Sequence, residues 1–125
     1  MLRDAKVMAM AAVKDIEEAR KFYGEVLGLT GNEDNPGGVS YMCGGSELFV
    51  YPSQYAGTNQ ATTATWEVSD IKAVVDELKS KGVDQWEHYE FPGAEHDGEV
   101  HIMGTTKAAW FRDPSGNILG LGEAA

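Results

Sequence analysis

The segment Val13-Lys14-Asp15-Ile16 returns 55 residues later as Val68-Ser69-Asp70-Ile71. Each copy lies between a short strand-like stretch and a helix-like one that closes on Gly28 or Gly82. A chain that writes the same strand-to-helix junction twice in so short a length is built from two related modules that bury a core together. The ends of the two repeated strands then become equivalent places at which to look for chemistry.

Local signals fill in each module. After a strand over residues 6–13, Asp15 offers a helix N-cap with Glu18 three residues on, a capping-box pattern. Ile16, Ala19, Phe22, Tyr23, Val26 and Leu27 fall on one helical face, and Gly28 supplies the stop. Asn35-Pro36-Gly37-Gly38 and Gly44-Gly45-Ser46 are turn signals that bracket a strand over 39–43, and a further strand covers 47–51 before Pro52. The second unit repeats the plan: a strand over 62–68, Asp70 as cap, Ala73, Val74 and Leu78 as the buried stripe, and Gly82 as stop. Strands over 83–89, 107–112 and 117–121 complete it, the last following the turn residues Asp113-Pro114-Ser115-Gly116. Residues 91–104, with Pro92, Gly93 and Gly98, form a long connection that is either a pocket wall or a surface excursion. Residues 55–59 are too short for an independent linker, so residues 1–125 are expected to be one domain, with modules at about 5–54 and 60–122.

Charge and cysteine content remove several function classes. Twenty acidic residues against ten basic give a net charge of −10, which repels a phosphate backbone and excludes nucleic acid or an anionic membrane as the expected partner. The single cysteine, Cys43, excludes an internal disulfide and a cysteine-rich metal cluster, and is expected to be a small buried apolar residue. Residues 1–6 have no apolar signal segment and no stretch reaches the length of a membrane span, so the expected compartment is the cytoplasm.

The ordered combination of strand, V-x-D-I, a helix carrying Phe22-Tyr23 and ending Leu27-Gly28-Leu29, and the late Trp110-Phe111-Arg112-Asp113-Pro114-Ser115-Gly116-Asn117 resembles the vicinal oxygen chelate superfamily. That superfamily includes glyoxalase I, extradiol dioxygenases and bleomycin-resistance proteins, and the resemblance covers nearly the whole chain. It implies an α+β fold of two βαβββ modules whose strands curl into a cup, with the helices packed outside and the ligand within. It also implies a homodimer, in some members formed by exchanging modules. Asp15 and Asp70 read as helix caps on physical grounds alone, and Asp113 to Asn117 as the turn that aims the last strand.

Metal-dependent members place a ligand, usually His, seven residues before the capping Asp in each first strand. Those positions are Met8 and Thr63 here. The last-strand ligand, usually Glu seven residues after the Asp of the D-P-x-G turn, corresponds to Gly120, and the fourth falls near Tyr51. A thioether, a hydroxyl, a hydrogen and a phenol cannot hold a hard or borderline divalent ion, so no metal and no cofactor is expected at the family's usual place. An alternative metal site built from His88, Glu90, His96 and His101, with Asp97 and Glu99 nearby, stays open; solvated loop residues are the simpler reading of such a mixture.

Strand alternation assigns the cup lining. With Ala9, Ala11 and Val13 facing the helix, Met8, Met10 and Ala12 point inward; with Ala64, Trp66 and Val68 on the helix side, Thr63, Thr65 and Glu67 do. Phe49 and Tyr51 share a face, and Trp110 or Phe111 contributes from a later strand. Such a methionine, aromatic and hydroxyl surface either fills the centre as core or binds a planar or hydrophobic organic molecule. The expected function is small-molecule binding without a metal. The alternative is a lyase- or dioxygenase-like enzyme, metal-free or with an atypical metal, acting on a small carbonyl or aromatic substrate, for which Glu67 and His101 are the candidate general bases.

Overall fold

The computed structural model describes residues 1–124. The repeat is expressed as two mixed sheets, each opened by the strand that ends in V-x-D-I. In module 1, β1 (Ala9–Val13) leads into α1 (Ile16–Ala19), which continues as a π-helix over Arg20–Val26, followed by β2 (Thr30–Asn32), β3 (Val39–Cys43) and β4 (Ser46–Pro52). The sheet order is β1-β4-β3-β2, with β1 parallel to β4 and the rest antiparallel. In module 2, β5 (Thr62–Glu67) leads into α2 (Ile71–Ser80), then β6 (Trp86–Glu87), β7 (Glu95–Asp97), β8 (Val100–Met103), β9 (Thr106–Arg112) and β10 (Ile118–Glu123). Its order is β5-β10-β9-β8-β7, with β5 parallel to β10 and β6 paired to β9. This is the expected α+β pair of βαβββ-like modules.

The caps form for the reason given by the sequence. The Asp15 carboxylate accepts the backbone N–H groups of Glu17 and Glu18 at 2.9 and 3.2 Å, and Asp70 accepts that of Ala73 at 3.2 Å. Each satisfies donors that a helix leaves orphaned in its first turn, and is worth about 1 kcal/mol. The first helix then widens: Leu27 N–H bonds to the Phe22 carbonyl, five residues back, and Leu29 N–H to that of Tyr23. That winding accompanies the burial of both adjacent aromatics, Phe22 and Tyr23. On α2 the buried stripe is Ile71, Val75 and Leu78; Ala73 is exposed, because the spacing of three and four residues runs from Ile71.

The two helical layers share one core, in which Phe22 of module 1 lies 6.4 Å from Phe111 of module 2 and Phe111 lies 5.4 Å from Trp86. The D-P-S-G-N turn bolts the modules together. Asp113, 2 % exposed, accepts the Tyr23 hydroxyl at 2.6 Å, the backbone N–H groups of Ser115 and Asn117, and the Asn117 side-chain amide. Ser115 Oγ accepts Lys14 N–H at 2.9 Å, and Asn117 Nδ2 donates to the Ala12 carbonyl at 2.7 Å. Gly57 is held at this turn by close approach: a Cβ there would sit 2.0 Å from the Ser115 carbonyl oxygen. The expected turn therefore also joins β1 of one module to β10 of the other.

Three local expectations change. The strand over 83–89 shortens to Trp86–Glu87, and the connection over 91–104 contains the hairpin of β7 and β8. In the register that sets Trp86 opposite Phe111, Ala108 would face residue 89; it faces His101, so twelve residues are looped out of the strand beside β9. Polar, turn-rich residues hid this, since β7 gains its order from pairing and not from an apolar face. Cys43 is half-buried and not fully buried.

Candidate functional site

The concave faces of the two sheets hold the residues that strand alternation assigned, but they do not form a single cup. Leu48 and Val50 go into the core, so Glu47, Phe49 and Tyr51 take the opposite face of β4, beside Met10 and Ala12 of β1. Phe49 and Tyr51 stack with ring centroids 6.2 Å apart at 13°. Met8, Met10 and Phe49 line a cavity of 370 Å³ with Glu47, Asp34 and Ser40. Met10 also lines a second, of 340 Å³, with Tyr51, Thr63 and Asn117. Thr65 and Glu67 belong to a wider cleft of 760 Å³ between the β3–β4 hairpin and β5, shared with Met42 and Glu47. Met10 and Glu47 are thus the residues common to neighbouring cavities.

Charge is one-sided across these spaces. Glu47, Glu67 and Asp34 line them, and among the described residues no Lys or Arg does. Glu67 is exposed and has no ion-pair partner among the described residues.

On the second sheet the concave face is covered. Trp110 stands on it; the looped-out Tyr89, at 4.9 Å and 83°, and Phe91, at 6.0 Å, fold back over the indole, and His101 of β8 stands beside it at 4.9 Å and 79°. Phe111 is a correction. One residue further along β9, it points to the helix side, 1 % exposed, and lines the core instead of the cup.

His101, expected in a loop, lies in β8 and is fully buried. Its Nε2 accepts the Tyr89 backbone N–H at 2.8 Å, so the ring proton is assigned to Nδ1, which faces the Glu99 carbonyl at 3.2 Å. Burial, and then the adjacent His96 at 4.6 Å, hold its pKa below the ordinary 6.5. A neutral imidazole whose one lone pair is occupied by backbone is a fastener and not a base. His88 Nε2 lies 2.9 Å from Glu99, which also pairs with Lys79; the ammonium, then the imidazole, lower the Glu99 pKa against its partial burial. Glu90 is exposed, and Asp97 pairs with Lys72. Among the described residues no group of three or more His, Cys, Asp and Glu is arranged to hold a metal ion.

The positions at which the resembled superfamily usually holds a metal are spread over separate surfaces. Met8 lines one cavity, Tyr51 and Thr63 another, and Gly120 is buried where a Cβ would meet Thr65 Oγ1 at 2.7 Å and Trp110 Nε1 at 3.3 Å. The donors are of the wrong chemistry, and one position has no room for a side chain, so these residues do not fit a divalent ion.

Asp34, Met42, Glu47 and Asn117 line the cavities without having been singled out from sequence as lining. Glu47 shares the parity of Phe49 and Tyr51, and Met42 that of Ser40, so alternation could have found both. Asp34 lies on an irregular loop, where no period operates.

No helix among the described residues is long and apolar enough to cross a membrane. A family model described as the Glyoxalase/Bleomycin resistance protein/Dioxygenase superfamily matches residues 7–121. No curated protein sequence matches the chain. Similar solved structures include the fosfomycin resistance protein of Listeria monocytogenes, with a TM-score of 0.72, 10 % identity, and 98 % of this chain and 94 % of that one covered. Lactoylglutathione lyase from Agrobacterium tumefaciens aligns at 0.69 with 19 % identity, over 97 % and 95 % of the two chains. A glyoxalase/bleomycin resistance protein/dioxygenase from Alicyclobacillus acidocaldarius aligns at 0.69 with 17 % identity, over 97 % and 92 %.

Proposed function

The chain belongs to the Glyoxalase/Bleomycin resistance protein/Dioxygenase superfamily, and from that premise we propose that it binds a planar, hydrophobic organic cation on the concave face of module 1 without a metal. The observation that carries this reading is the lining: Met8, Met10, Phe49 and Tyr51 form an apolar, aromatic floor, and the charged side chains around it are the carboxylates of Asp34, Glu47 and Glu67. Thioethers adapt to a flat surface, the stacked Phe49–Tyr51 pair offers ring faces to a cation, and carboxylates without basic partners are free to neutralise it. A buried charge left unpaired would be costly, but these groups stand in solvent until a ligand arrives. General-base chemistry finds no support at His101, whose Nε2 accepts a backbone N–H.

A thermal-shift and calorimetry panel of aromatic ammonium compounds and their neutral isosteres tests this. Cations should raise the melting temperature and their isosteres should not, and Glu47→Gln with Glu67→Gln should remove the difference. Equal response to charged and neutral members, or none to either, would overturn it.

A further inference from the structure

β1 and β5 are the end strands of their two sheets and do not pair with each other. Near Ala12 and Thr62 they border a 340 Å³ cavity together, and near Ala9 and Glu67 the space between them is the 760 Å³ cleft. That cleft is lined from both faces of each sheet. Glu47, Thr65 and Glu67 come from the concave sides, and Leu48, Ala64 and Trp66 from the sides packed on the core. Because neighbouring residues of a strand point to opposite faces, such a lining means that the cleft passes between the sheet edges.

Behind it lies a further space. Leu29 and Trp66 border both the cleft and a crevice of 180 Å³ whose lining is wholly Leu, Val, Phe and Trp, including Leu27, Val74, Leu78 and Leu121. Leu27, Val68 and Val74 are only partly buried, so the crevice reaches the surface between the two helices. An apolar cavity of about 150 Å³ holds a benzene molecule, so this one has room for about six carbon atoms. At its mouth the charges are of one sign: Glu47 and Glu67 line the cleft, and among the described residues no Lys or Arg does.

We propose that the cleft and the crevice together bind a straight-chain alkylamine, its chain seated past Trp66 among the Leu and Val side chains and its ammonium held at Glu47 and Glu67. A chain without the charge would leave the carboxylates unmatched, and a charge without the chain would leave the crevice empty. The site shares Glu47 and Glu67 with the aromatic-cation reading but does not rest on it, because Leu27, Val74 and Leu78 have no part in the module 1 floor.

The test is calorimetry of the full chain with n-alkylammonium chlorides of four to twelve carbons and the matched alcohols, below their micelle concentrations. Affinity should rise about fourfold per methylene, as burial of each group predicts, and level off once the crevice is full. Each amine should bind about fivefold more tightly than its alcohol, the upper end of what an exposed ion pair gives. Val74→Trp fills the crevice from a partly exposed position, and should abolish the dependence on chain length while leaving aromatic ammonium binding unchanged. Val74→Ala should move the plateau to longer chains. Circular dichroism establishes that both variants fold. A chain-length series without any aromatic ammonium binding would support this site and sink the module 1 reading. An unaltered series in Val74→Trp, equal affinity for amines and alcohols, or no binding of either would overturn the proposal. So would a Trp66 indole resonance that moves with protein concentration alone, since a second copy of the chain would then be what covers the crevice.

Discussion

The two modules share a strand order, a capped helix and a junction motif, yet they treat their concave faces in opposite ways. In module 1 the edge strand β2 pairs with β3 and ends, and the face beneath keeps Met8, Met10 and Met42 in solvent. In module 2 the matching strand is split into β6 and β8, and the residues looped out between them lay Tyr89 and Phe91 over Trp110. His101 fastens that cover by accepting the backbone N–H of Tyr89. One topology thus leaves an open face in one half and a partly covered aromatic cluster in the other, and the extra length of the strand beside β9 decides which. The difference concerns faces and not helices, because both helical layers feed the same core.

Truncation should expose this asymmetry most strongly. Trp110→Ala should cost about 3 kcal/mol, as removal of a large packed aromatic does, whereas Met10→Ala should cost about 0.5 kcal/mol or less because its side chain already meets water. Urea unfolding of both variants measures this, and equal losses would mean that the module 1 face is packed too.

A smaller effect is expected at the bolt that holds the halves in register. Tyr23→Phe leaves the buried Asp113 without one donor, and should cost about 2 kcal/mol by the same measurement. Burial, then Asp113, pushes the Tyr23 hydroxyl pKa far above its ordinary 10. The phenol therefore stays a donor, and the loss should be independent of pH across the neutral range. A loss confined to one half in hydrogen exchange would show that the modules are held together elsewhere.

The weakest effect should come from acid. His101 has a folded pKa below its ordinary 6.5, so its contribution to stability is complete above that value and is lost progressively as pH falls through and below it. Amide exchange should therefore quicken first at Tyr89 and its neighbours, while β1 and β4 stay protected. Replacement of His101 by Phe should flatten this part of the profile, and an unchanged profile would remove the imidazole from the account.

The local elements were legible because they are written in nearest-neighbour terms. Asp15 and Asp70 cap as their positions demand, and alternation placed Met8, Met10, Phe49, Tyr51, Thr63 and Glu67 on the concave side. Where that reasoning gave a choice between Trp110 and Phe111, only the pairing of β9 with β6 and β10 resolved it. The covering arm was not legible, since residues 88–99 carry no sustained period, and their order comes from packing of Tyr89 and Phe91 on Trp110 and from pairing of β7 with β8.

Taken alone, the sequence determined that the chain has two related modules, where each helix begins, and that the family's divalent-metal positions carry a thioether, hydroxyl, phenol and hydrogen. Periodicity, capping and donor chemistry are properties of a residue and its near neighbours, so they survive being read one position at a time. Tertiary structure alone decided that Asp113, Ser115 and Asn117 join the modules, that His101 is a buried fastener, and that Met42 stands opposite Glu47 and Met10 opposite Phe49. Those facts depend on which strands become neighbours and on how much chain is looped out between them, which is settled when the whole core packs at once.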